Sequence, residues 1–181
     1  MQFSSLRDLL VLELNDLRDA ENQLIKALPK MAKASASAPL RQALQEHLEQ
    51  TKEHARRIDR IFTDLGESPE SARCKGMKGI IAEGADILKR KFSPALQDAA
   101  IISAVQRVEH YEIAGYGCVR TYAELLQNQD AVEALEQTLQ EEKDADSRLT
   151  DLAQQINVEA QTANDAAEEE DRTKAKGATS S

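Results

Sequence analysis

Apolar residues recur along most of this chain at alternating spacings of three and four, the pattern of helices that bury one face. Leu10, Leu14, Leu17, Leu24 and Leu28 trace a first helix over about 5–33. Leu40, Leu44, Ile58, Ile61 and Leu65 trace a second over about 39–65, with Pro39 suited to its first turn and Gly66 to its stop. Ile102, Val105, Val119 and Leu126 mark a third over about 94–127; Val132, Leu135, Leu139, Leu149 and Ile156 mark a fourth over about 130–157. The connections are unequal. Ser35-Ala36-Ser37-Ala38 is short, whereas residues 66–94 carry Gly66, Pro69, Gly76, Gly79, Gly84 and Pro94 and read as a long crossover with a short helix near 77–91. From about Gln161 the apolar stripe disappears. The expectation is an all-α four-helix bundle over 1–158, two hairpins joined by the crossover, then an acidic and polar tail over 159–181, expected to be flexible.

Each stripe is interrupted at its middle by polar residues that stay in register. Glu21 falls between Leu17 and Leu24, and His47, Thr51 and His54 fall between Leu44 and Ile58. Glu109, Glu112 and Tyr116 lie between Val105 and Val119, and Glu142 and Asp146 between Leu139 and Leu149. Their heights agree as well. Glu21 and Thr51 stand some 15 residues either side of the first hairpin loop, roughly 22 Å along their helices at 1.5 Å per residue. Five carboxylates and two imidazoles are therefore expected at one level of the bundle. Unpaired buried carboxylates cost several kcal/mol each and repel one another. No Lys or Arg sits on a stripe to neutralise them, although Arg18, Arg57 and Arg107 flank the cluster. Two cations would neutralise them, and carboxylate with imidazole on facing helices suits Fe or Mn, with Zn as a common substitute. The candidate metal ligands are Glu21, His47, His54, Glu109, Glu112, Glu142 and Asp146. His110 and Glu83 lie off the main stripes, and Cys74 and Cys118 read as packing residues.

Composition narrows the function classes. The chain has 181 residues, 41% apolar but only 3% aromatic, with 23 basic against 32 acidic residues and a net charge of −9. That balance argues against nucleic acid as a partner. No apolar run approaches the roughly 18–20 residues of a membrane span, and the acids in MQFSSLRDLLVLELND argue against a signal peptide. A cytoplasmic location is expected. Two cysteines without a CxxC pair support neither a disulfide framework nor a thiolate metal knuckle.

Glu109-x-x-Glu112, followed by Glu142-x-x-x-Asp146, resembles the second ligand half of rubrerythrin-type di-iron proteins. More closely, LRDLLVLELNDLRDAENQL, HLEQTKEHARRIDRIF, CKGMKGIIAEG, VEHYEIAGYG and LQEEKDADSRLTDLA resemble the YciE/YciF stress-protein family over about 5–158. The resemblance implies a ferritin-like fold, a homodimer and a link to bacterial stress, and the two cations expected per chain are read as iron. There are departures from the rubrerythrin pattern. The expected Glu-x-x-His is missing from the second helix, where Thr51 precedes His54 by three and Gln50 follows His47 by three, so the imidazole ligand stays open between them. Asp146 stands where a histidine is expected. Three functions follow: a di-iron protein reacting with peroxide or oxygen, an iron-sequestering cage, or a metal-free helical dimer. For Tyr116, one turn past Glu112, both a catalytic part in ordering an oxygen species and simple core filling are open.

Overall fold

The structure, a computed structural model, describes residues 4–178 along the backbone and side chains over 4–162. Five helices follow in order: α1 Leu6–Ala34, α2 Ala38–Asp64, α3 Lys75–Leu88, α4 Pro94–Leu125 and α5 Gln129–Ala178. The pairs α1–α2 and α4–α5 form hairpins, which pack through α1 on α4 and α2 on α5, while the short α3 lies against α1 and α4. This is the ferritin-like connectivity that the sequence pattern led us to expect.

Local chemistry sets the helix ends. Ser5 caps α1 reciprocally with Asp8: the Asp8 amide donates to Ser5 Oγ at 3.1 Å and the Ser5 amide to Asp8 Oδ2 at 3.0 Å. The short α1–α2 connection is held by Asp98 of α4, whose carboxylate accepts from the Ala36 and Ser37 amides at 2.9 and 2.7 Å. Gly66 leaves α2 with φ of +68°, a conformation that favours glycine. The one departure at the C-terminus is α5, which continues past the expected end near residue 157. No Gly or Pro interrupts it before Gly177, and its Ala, Glu and Gln residues favour helix. The expected polar tail is therefore helical along its backbone to Ala178, and its side chains beyond Thr162 lie outside the described residues.

The apolar core falls into two clusters. One joins Leu24, Leu28, Leu40, Leu44, Ile102, Val105, Leu149 and Ile156, with Cys74 and Met77 from α3. The other joins Leu10, Leu14, Leu17, Ile58, Ile61, Phe62, Tyr116, Val119, Leu135 and Leu139. On every long helix the two clusters are separated by the polar residues of mid-height. Among the described residues no helix is long and apolar enough to cross a membrane.

Three expectations about burial need correction. Cys118 is exposed rather than packed, because it stands one residue, about 100° of helix, before the buried Val119. Leu126 at the end of α4 is 36% exposed. Arg57 is buried beside Ile58 rather than merely flanking the cluster, which it can be because its guanidinium is paired with Glu141 and Thr138, as described next.

Candidate metal centre

Helical phase carries Glu21 of α1, His47 and His54 of α2, Glu109 and Glu112 of α4 and Glu142 of α5 to one level, all buried. They form two groups. His47, Glu109, Glu112 and Glu142 offer ligand atoms all within 4.8 Å of one another, and so do Glu21, His54 and Glu142. Glu142 belongs to both. Within the first group His47 Nε2 lies 3.2 Å from Glu109 Oε1 and 3.9 Å from Glu142 Oε2. Within the second, His54 Nδ1 lies 2.8 Å from Glu142 Oε1 and 3.6 Å from Glu21 Oε1. Both imidazoles are thus in the cluster, each in its own group. Thr51 is turned away, its hydroxyl donating to the His47 carbonyl at 2.9 Å.

Asp146 does not join either group. It lies four residues after Glu142, about 40° round the helix, and is part-exposed beside α4. There it accepts from Gln106 Nε2 at 3.3 Å and faces the exposed His110 at 3.4 Å. The fully buried carboxylates are therefore four, not five. Glu83 is an exposed partner of Arg107.

An outer set of residues went unrecognised in the sequence. His54 Nε2 stands 2.8 Å from Glu141 Oε2, and Arg57 grips the same carboxylate at 2.5 and 3.0 Å while also donating to Thr138 at 3.0 Å. Burial opposes ionisation of Glu141, but Arg57 and His54 outweigh it and hold its pKa down to about 2. An ionised Glu141 can only accept, so His54 Nε2 donates and Nδ1 is the atom aimed at the cluster. On the far side the Tyr116 hydroxyl donates to Glu21 Oε1. The spacing of His54 and Arg57 on one helix face, opposite the paired Glu141-Glu142, was the available signal.

The electrostatics are those of carboxylates and imidazoles crowded together out of water. Burial raises Glu21 to about 6 despite the nearby His54 and Tyr116. Burial, reinforced by the charge of Glu142 at Glu109 and of Glu21 at Glu112, lifts both carboxyls well above the ordinary range. Glu142 runs the other way: burial would raise it, but the two imidazoles outweigh burial and hold it low. Burial lowers His47, whereas Glu142 and Glu21 overcome burial at His54 and take it up to about 10.

The remaining observation is one of unmet bonding capacity. Ten buried side-chain nitrogen and oxygen atoms among the described residues have no hydrogen-bond partner, and all ten belong to Glu21, His47, His54, Glu109, Glu112 and Glu142. Buried polar atoms are otherwise nearly always satisfied. A donor set of carboxylate oxygens and imidazole nitrogens without thiolate fits Fe, Mn or Zn.

Fold and site together define a ferritin-like helical-bundle protein with a buried carboxylate–histidine cluster able to hold metal ions. Residues 5–163 match the family described as a domain of unknown function, DUF892, and the chain belongs to that family. Protein YciF of Escherichia coli (strain K12) is 39% identical to it over 154 residues, 84% of this chain and 93% of that protein. The crystal structure of the E. coli stress protein YciF matches with a TM-score of 0.83 at 38% identity, covering 85% of this chain and 98% of that one. YcfI of Rhodopseudomonas palustris matches with a TM-score of 0.78 at 39% identity, covering 81% and 94%. A Xanthomonas campestris protein at 20% identity shares the fold, with a TM-score of 0.69 over 85% of this chain and 94% of that one.

Proposed function

We propose that this protein is a stress-associated di-iron protein that reacts with a small oxidant, peroxide or oxygen. The observation that carries the reading is the convergence, on one layer, of every unpartnered buried side-chain nitrogen and oxygen among the described residues. A structural polar network would be expected to satisfy its own members, because half-satisfied networks are costly. Here the donors face one another across 4.8 Å or less and leave their lone pairs unused. The stress association is taken from what is printed for the E. coli relative.

When bound, two irons would supply reversible redox chemistry and open positions for an oxygen donor. The chain supplies the rest. Glu142 reaches into both groups and ties them together, while Glu109 and Glu112 give the His47 side its negative charge. Glu141 and Arg57 fix the ring of His54 so that only Nδ1 points inward. His54 Nδ1 lies 2.8 Å from Glu142 and 3.6 Å from Glu21, and any proton on it must leave before the nitrogen can ligate. Tyr116 holds Glu21 in place through its hydroxyl, and the apolar clusters above and below keep bulk water away.

The same reading takes the protein as a C2 homodimer, which would cover what remains exposed of Leu9, Leu48 and Leu88, the last two already packed in part against the chain's own core. Light scattering that gives a monomer at micromolar concentration overturns that part. For the centre itself, the protein is purified without chelators or metal-affinity resin and analysed for elements. About two metal ions per chain, mainly iron, are expected; protein that neither carries metal nor takes up Fe(II), Mn(II) or Zn(II) anaerobically overturns the reading.

A further inference from the structure

The two groups of ligands differ in their surroundings, and the difference assigns them different tasks. The Glu21–His54 side is closed. Tyr116 is fully buried against Glu21, His54 is backed by Glu141, and Glu141 is in turn locked by Arg57. His47 has no charged pair of that kind behind it among the described residues: the neutral Gln50 is the group beside it, and the ring forms part of the wall of a cavity of about 110 Å³ between α2 and α5.

This cavity has the makings of an entrance. Val105 of α4 and Leu44 line it with apolar surface, Gln50 and Ala145 stand beside His47, and Asp144 and Arg148 add one charge of each sign. Arg148 is itself tied to Glu46 of α2, so an ion pair spans the two helices at this point. A water molecule needs only about 10–15 Å³ of such space, so there is room for several small molecules. Apolar lining with balanced charge favours small uncharged species over ions.

We infer that the cavity beside His47 is the route by which small uncharged oxidants of the size of dioxygen or hydrogen peroxide reach the centre, and that the His47 side is the exchangeable, ligand-binding position while the His54 side is sealed. The inference rests on the metal-binding reading, so its test separates the two. Ala145→Leu adds three carbons to the cavity wall on an already helical segment, and Arg148→Ala removes the ion pair that spans it. Circular dichroism and melting curves check that both variants fold.

In metal-free protein, paramagnetic relaxation by dissolved dioxygen is measured at the ring protons of His47 and His54, with the exposed His110 as reference. His47 is expected to relax more than His54, and Ala145→Leu is expected to erase that difference while leaving His110 unchanged. In Fe(II)-loaded protein, nitric oxide serves as a neutral diatomic probe in anaerobic stopped flow. Binding is expected to slow about tenfold in Ala145→Leu and to speed up in Arg148→Ala, at unchanged metal content. Equal relaxation of His47 and His54, or unchanged nitric oxide kinetics in a filled variant that keeps its iron, overturns the inference. Absence of metal from the wild-type protein, with the dioxygen result as expected, overturns the parent reading and leaves the route standing.

Discussion

Replacing Glu21 with Gln should make the metal-free protein more stable at neutral pH, and the size of the gain follows from the site. Glu21 is fully buried, and its pKa rises from 4.5 to about 6 on folding. At 1.36 kcal/mol per pH unit, that displacement is worth about 2 kcal/mol. The sign follows from proton linkage. A carboxyl whose pKa is raised by folding adds stability below its unfolded value, and that stability is lost as pH climbs through the folded value, here between about 4.5 and 6. Gln imitates the protonated acid at every pH: its carbonyl can still accept from Tyr116, and its amide can donate to neighbouring carboxylates. The chelated variant should therefore match wild type near pH 4 and exceed it by about 2 kcal/mol at pH 7, roughly 30-fold in the unfolding equilibrium. Urea titrations of both proteins at pH 4, 5, 6 and 7 measure this directly, and the melting temperature at pH 7 should rise by about 4–8 °C. Metal added in excess should raise the stability of wild type more than that of the variant. The reasoning fails if chelated Glu21→Gln is less stable than wild type at pH 7, or if the two curves stay parallel across the pH range.

Glu142→Gln should act in the opposite sense: its pKa is lowered on folding, so its charge adds stability above the unfolded value that is lost as pH falls. Urea titration of the metal-free variant at pH 7 should show a loss of about 1–3 kcal/mol, because the buried His54 loses the carboxylate 2.8 Å from its Nδ1. Elemental analysis should find Glu142→Gln depleted at both metal positions and His47→Ala depleted mainly at one, since only Glu142 belongs to both groups. Tyr116→Phe strips Glu21 of its hydroxyl donor and should cost about 1–3 kcal/mol in a denaturant titration of the metal-free protein. Asp98→Ala, far from the centre, leaves the Ala36 and Ser37 amides without their acceptor and should cost about 3 kcal/mol with no change in metal content.

The layer was legible because helical phase propagates rigidly. Once Leu17 and Leu24 face inward, so does Glu21, and the same reasoning carried Glu109, Glu112 and Glu142 inward from the apolar residues around them. Equal distances from the hairpin loops then put the residues at one height. What escaped was finer than the period. Asp146 differs from Glu142 by about 40° and by one methylene, enough to leave it at the edge of the bundle. Glu141 differs from Glu142 by about 100°, which turns it toward α2, where the shared helix face of His54 and Arg57 was the one sequence signal of its role. The opposite behaviour of Glu142 and its neighbours is likewise invisible in a count of charges, since it depends on which carboxylate lies nearest both imidazoles. The length of α5 was missed for a different reason. Loss of an apolar stripe signals loss of packing, not loss of helix, when Ala, Glu and Gln fill the segment.

The division of the apolar core into two clusters has a consequence for how the molecule comes apart. Each cluster draws residues from all four long helices, so each is a small core in its own right, and between them lies the layer of carboxylates and imidazoles. Without metal that layer, with its unmet bonding capacity, would couple the two clusters weakly, so that one could open while the other stays closed. Ions bound across Glu21, Glu109, Glu112 and Glu142 would weld the two ends into one cooperative unit. Hydrogen exchange should then show two families of opening energies in chelated protein and a single one after loading, so that the centre governs the cooperativity of unfolding as well as any chemistry it performs.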